Sequence, residues 1–97
     1  MIASSTRVPK FKLGRVVITR GCAARLDELG VWPGEFVARH ASGDWGEIAA
    51  GDEGLNEEAL VQGLRLMSVY PLSDGGRVWV ITEWDRSYTT LLLPEEY

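Results

Sequence analysis

A chain of 97 residues with 45% hydrophobic and 25% charged side chains can bury one core but not two, and this composition excludes wholesale disorder. Its net charge of −4 is unevenly laid out: residues 1–26 carry six basic side chains and no acidic one, whereas the rest carries four basic against fourteen acidic. That balance gives no support to direct binding of DNA or RNA, which normally calls for a net basic face, and no apolar run approaches the roughly 18–20 residues of a membrane span.

Met1–Lys10 lacks the apolar core of a secretory signal, so a cytoplasmic protein is expected. Ser4, Ser5, Thr6 and Pro9 read as a flexible leader over residues 1–10, ahead of a single α+β domain over residues 11–97. Phe11–Thr19 alternates apolar residues and then runs through Val16, Val17, Ile18 and Thr19, the pattern of a strand, with Gly14 marking a bulge or a close crossing. Arg20-Gly21 breaks it. Cys22–Leu29 has helix formers with Ala23, Leu26 and Leu29 at helical spacing and Gly30 as terminator; the lone cysteine, Cys22, is expected to be a small buried thiol.

Pro33 opens a second helix to Ala41, with Glu35 at its positive end; Phe36, Val37 and His40 share a face, which turns His40 inward. Gly51-Asp52-Glu53-Gly54 reads as a turn, with Asp52 or Asn56 capping a third helix over Glu57–Gln62 whose buried stripe is Leu60, Val61 and Leu64. Gly63 ends it. Arg65–Tyr70, Arg77–Trp84 and Tyr88–Leu93 then form an antiparallel three-stranded meander, turned at Ser73–Gly76 and Asp85–Ser87 and stopped by Pro94. The expected fold is a small α+β domain: the C-terminal meander plus the N-terminal strand, with two or three short helices on one face.

The densest chemistry lies at Arg39-His-Ala-Ser-Gly-Asp-Trp-Gly-Glu47, which holds the only histidine. His40, Asp44 and Glu47 match the imidazole-plus-carboxylate set of divalent metal sites, but Gly43 and Gly46 interrupt the helix that would let them converge. The stretch reads instead as a structural hub of Arg39, His40, Asp44 and Trp45, with Trp45 plugging the core and Asp44 bonding nearby backbone N–H groups or Arg39. Glu83, Asp85 and Arg86 form a second polar cluster at the last turn, where a carboxylate pair for acid-base work competes with an ordinary solvated turn. No nucleophile elbow, phosphate loop or paired histidines occur. No catalytic residue, metal ligand or cofactor is therefore expected. Asp44–Glu58 meets no Lys or Arg along its length, and its acids are either neutralised by the basic first strand or open to a basic partner.

Phe11-Lys-Leu-Gly-Arg-Val-Val17, Arg39–Glu47, Asn56 with Ala59-Leu60 and Gly63, and the closing Trp79-Val-Ile-Thr-Glu-Trp-Asp-Arg-Ser-Tyr-Thr-Thr-Leu-Leu-Leu-Pro-Glu-Glu-Tyr97 resemble a family of short bacterial proteins. Its members are carried on plasmids, integrative elements and prophages and are labelled "plasmid-related protein" or type I restriction endonuclease subunit M. The resemblance covers residues 11–97. The restriction label does not transfer as chemistry, because the chain has no Asn/Asp-Pro-Pro-aromatic motif of a methyltransferase. What it implies is a small accessory protein of mobile DNA, of the kind that protects its element by binding a host defence complex. The resulting expectation is a non-enzymatic protein-interaction module, an anti-restriction or anti-CRISPR inhibitor, with Glu47, Asp52, Glu53, Glu57, Glu58, Asp85 and Arg86 as candidate partner-binding residues and no direct nucleic-acid contact. Two other readings are a metal-dependent or catalytic protein centred on His40 and Asp44, and a housekeeping homodimer joined through a sheet edge.

Overall fold

The computed structural model describes residues 9–48 and 52–97, with residues 52 and 53 by backbone alone. Along it run β1 (Arg15–Ile18), α1 (Arg20–Leu29), α2 (Pro33–Ala41), α3 (Asp52–Gln62), β2 (Leu66–Pro71), β3 (Arg77–Thr82) and β4 (Tyr88–Leu92), closed by a 3-10 turn at Pro94–Glu96. The strands form one sheet in the order β1-β4-β3-β2. β2, β3 and β4 pair antiparallel as a meander, and β1 lies parallel to β4 at the far edge. The α+β class expected from the sequence is therefore the class of the fold. Residues 1–8 of the expected leader and Gly51 lie outside the described residues, whereas Asp52, Glu53 and Gly54, expected to form a turn, are helical and belong to α3.

Alternation along the strands decides which face is covered. Leu66, Ser68 and Tyr70 of β2, Val78, Val80 and Thr82 of β3, and Thr89 and Leu91 of β4 are all buried under the helices. α1 adds Cys22 and Leu26, and α2 adds Phe36, to one cluster with Tyr70, Val80 and Leu91; Trp45, Ala59 and Leu66 form a second. Burying each of the larger side chains contributes about 1.5–3 kcal/mol.

Two helices begin earlier than their sequence signals. Thr19 ends the strand and also caps α1, its hydroxyl accepting from the Cys22 N–H at 3.2 Å, so Arg20 and Gly21 are helical rather than a break. α3 starts at Asp52, and Asn56, expected as a cap, lies inside it. Its carboxamide spans the backbone of β2, donating to the Met67 carbonyl at 2.7 Å and accepting from the Met67 N–H at 3.1 Å. That docking fixes the rotation of α3, so Asn56 and Ala59 face inward while Val61 is 87% and Leu64 49% exposed. The expected buried stripe of Leu60, Val61 and Leu64 is thus corrected in two of its three members.

The first strand is shorter than expected because the chain from Phe11 to Gly14 crosses the β3–β4 turn before pairing begins. Gly14, at φ 67°, passes so close to the Arg86 and Ser87 carbonyls that a Cβ would collide with them, the close crossing anticipated from its position. The two sheet edges then differ. β2 is covered: Val69 receives the Glu47 N–H at 2.6 Å and gives its own N–H to the Trp45 carbonyl at 3.1 Å, beside the Asn56 amide. Among the described residues β1 pairs only with β4. No helix among them is long and apolar enough to cross a membrane.

Candidate functional site

The last turn of α2 points its histidine straight into the core. His40 is fully buried, with Nδ1 2.6 Å from Ser68 Oγ and Nε2 2.9 Å from Thr82 Oγ1. Thr82 Oγ1 lies 2.7 Å from Thr89 Oγ1, and Thr89 Oγ1 donates to the Leu13 carbonyl at 2.7 Å. The carbonyl can only accept, and this sets the direction of every proton in the chain. Thr89 spends its hydrogen on Leu13 and must accept from Thr82; Thr82 must accept from His40 Nε2–H; Nδ1 is then the acceptor for Ser68. The imidazole is neutral and Nε2-protonated. Burial, aided by the positive Arg86, pushes its pKa down to about 3 from the ordinary 6.5.

Aromatic edges close the pocket. The Phe11 and Trp45 rings meet His40 edge-on with centroids 5.2 and 5.7 Å away, and stack on each other at 6.3 Å. Trp45 is 6% exposed and gives its indole N–H to Glu57 at 3.0 Å. Asp44 accepts from Arg39 Nε at 2.7 Å and from the Gly46 N–H at 3.2 Å, while the Arg39 guanidinium lies 4.3 Å over the Tyr70 ring and Tyr70 donates its hydroxyl to the Asp44 carbonyl. Around the end of α2 these side chains lie in two layers, with His40 and Trp45 inside and Arg39 and Asp44 at the surface. Both His40 nitrogens are engaged with hydroxyls, and among the described residues no three His, Cys, Asp or Glu side chains are grouped to hold a metal ion. Cys22 is buried with its thiol pushed up to about 11, chiefly by desolvation and secondarily by Glu96, which leaves it a poor nucleophile.

Neutralisation by the first strand, one of the two readings of the acidic tract, is not how Asp44, Glu47 and Glu57 are held. Glu47 pairs with Arg77 at 3.1 Å, Asp44 with Arg39, and Glu57 with the Trp45 indole. Arg25 takes Asp74 at 3.2 Å and Glu95 at 3.8 Å. Glu58 is exposed on α3, and the side chains of Asp52 and Glu53 lie outside the described residues.

Arg86 and Asp85 lie in the β3–β4 turn, against the C-terminus of α3. Arg86, at a left-handed φ of 60°, sends its guanidinium across the β3–β4 turn to the C-terminus of α3. It donates to the carbonyls of Leu64 at 2.6 Å, Glu83 at 3.0 Å, Ala59 at 3.1 Å and Trp84 at 3.4 Å, and its carbon centre lies 5.7 Å from the Phe11 ring centroid. Arg86 is thus a clamp rather than a free contact residue. It joins the end of α3 to the β3–β4 turn, and Val61, Leu64 and Trp84, 87%, 49% and 65% exposed, sit on segments that also carry Glu57, Glu58 and Asp85. Asp85 is held ionised below its ordinary value by the Ser87 hydroxyl and N–H. Glu47 is tied to Arg77 near the opposite end of β3.

Arg86→Ala is expected to lower stability by about 2–3 kcal/mol, because four carbonyls lose a charged donor. Arg86→Lys recovers only part of this, since an ammonium cannot fork between helix and turn. Thermal melts of the two variants check the ranking. Sequence reasoning missed Ser68, Thr82, Thr89, Tyr70 and Asn56. A serine on the same side of β2 as Leu66 and Tyr70 was the available signal for Ser68, since a hydroxyl facing a core calls for a buried polar partner. No protein-family model, no curated protein and no solved structure matches the chain.

Proposed function

We propose that the chain is a non-enzymatic protein-interaction module of a plasmid, phage or integrative element, which inhibits a host nucleoprotein defence complex by direct binding. The observation that carries this reading is the pair of segments joined by Arg86: an exposed tryptophan and two exposed aliphatic side chains on the same two segments as Glu57, Glu58 and Asp85. Aromatic anchors next to charged residues are the make-up of protein interfaces. Acids around such an anchor complement a basic surface, and a protein that grips nucleic acid presents one. The resemblance to short mobile-element proteins points to the same class of target.

The test is a pull-down from host lysate with the tagged chain, together with a phage or plasmid restriction assay on expression. Recovery of a defence subunit and relief of restriction are expected. Both should fall about tenfold or more in Trp84→Ala, and in Glu57→Lys with Glu58→Lys, consistent with loss of an interface anchor or a reversed field. Absence of any defence subunit together with unchanged restriction overturns the proposal.

A further inference from the structure

We propose that β1 is a self-association edge, joining two copies of the chain through an antiparallel β1–β1 pair centred on Val17. The argument begins with the ladder to β4. Arg15 donates its N–H to the Ser87 carbonyl at 3.0 Å and Thr19 donates to the Leu91 carbonyl at 3.1 Å. Direction alternates along a strand, so residues 15, 17 and 19 face β4 and the N–H and C=O groups of Val16 and Ile18 face away from it. No strand among the described residues receives them. Val16, Val17 and Ile18 are 45%, 37% and 38% exposed. An open edge of consecutive β-branched apolar residues is a template for strand addition. Among the described residues nothing guards it in the way Asn56 and the Trp45–Glu47 segment guard β2.

Three requirements select a second copy and its register. The outward groups must meet each other, the two sheets must keep corresponding faces on one side, and charge must match. Pairing Val16 with Ile18 of the second copy, and Ile18 with its Val16, lets both exchange hydrogen bonds around a two-fold axis at Val17. Residues whose numbers differ by an even count face the same side of the sheet, so the two four-stranded sheets continue into one of eight. In this register Arg15 stands opposite Thr19 of the other copy. The Thr19 hydroxyl holds Glu96, whose carboxylate also accepts from the Leu93 N–H at 2.8 Å and the Gly21 N–H at 3.2 Å. Arg15 has no acidic partner among the described residues. The pairing brings each unpaired guanidinium beside a fixed carboxylate, twice per dimer. The pairing uses backbone groups of Val16 and Ile18 and none of Val61, Leu64, Trp84, Glu57, Glu58 or Asp85, so self-association and binding of a defence complex are tested by different substitutions.

The experiment is light scattering of the full chain across a concentration series, with cysteine cross-linking to read the register. A mass approaching twice the 10.7 kDa of the chain is expected. Val17→Cys should give about tenfold more covalent dimer on mild oxidation than Val16→Cys, because the axial pair has its Cα atoms about 4.5 Å apart and the Val16 pair sits roughly 8 Å apart. The native Cys22 is fully buried and gives little background. Val17→Glu sets two like charges across the axis and should yield a folded monomer, with the folded state checked by circular dichroism. A wild-type monomer at every concentration, a dimer unaffected by Val17→Glu, or equal cross-linking of the two cysteine variants overturns the proposal.

Discussion

Replacing His40 by leucine is expected to cost about 3 kcal/mol, although the new side chain is apolar and similar in bulk. The cost arises from the groups left behind. Ser68 loses the acceptor for its hydroxyl hydrogen and Thr82 loses the donor from Nε2, and each stranded buried group carries a penalty of about 1–3 kcal/mol. For a domain of this size that is a fall in Tm on the order of 15 °C. Serine and threonine also supply no carboxylate that would stabilise a charged ring, so the wild type should be acid-labile in a defined way. The folded-state pKa of His40 is depressed to about 3 against the ordinary 6.5, and therefore the unfolded chain binds the extra proton. The contribution is fully present above 6.5 and is lost as pH falls toward 3, with a slope of up to about 1.4 kcal/mol per pH unit. Urea unfolding between about pH 6.5 and pH 5, above the ordinary carboxylate range, should show this slope in wild type and a flatter one in His40→Leu. Equal slopes would contradict it.

Trp45→Ala is the second large effect, expected at about 3–5 kcal/mol as for other buried large aromatics. The indole fills the space between Phe11, His40 and Ala59 and gives its N–H to Glu57 on α3. It stands beside the Gly46 backbone, which approaches the Val69 carbonyl so closely that a Cβ would collide there. Removing the ring therefore opens a cavity and also loosens the loop that guards the β2 edge. Because Trp45 touches His40, the two substitutions should not be additive. The double variant is expected to lose less than the sum of the single ones, and a melt of Trp45→Ala indistinguishable from wild type would refute the anchor role.

What the sequence disclosed divides along physical lines. α2 was legible from end to end because its signals are local: Pro33 at the start, Glu35 in the first turn, Arg39 and His40 in the last. The spacing of Phe36 and His40 was enough to turn the imidazole inward. Its partners were not legible, since Ser68 and Thr82 lie 28 and 42 residues away and only the sheet brings them under α2. α3 misled for a related reason. Its glycine-rich start resembles a turn, and Val61 and Leu64 resemble a buried stripe, but a single tertiary contact, Asn56 on the Met67 backbone, turns them out to solvent. The acidic tract and the hairpin tip were each visible as polar segments. That the tip is tied to the end of α3 was not visible, because the Arg86 clamp joins residues 22 and 27 positions apart.

The densest chemical cluster of this chain is a frame whose histidine is neutral and closed off from solvent. Long-range ¹H–¹⁵N NMR of the His40 ring tests it most directly. The expected result is a neutral imidazole with the proton on Nε2, unchanged from neutral pH down to about pH 4.5. A ring that titrates near the ordinary 6.5, or one that carries its proton on Nδ1, would contradict the directed chain from Ser68 to the Leu13 carbonyl and return His40 to the list of working residues.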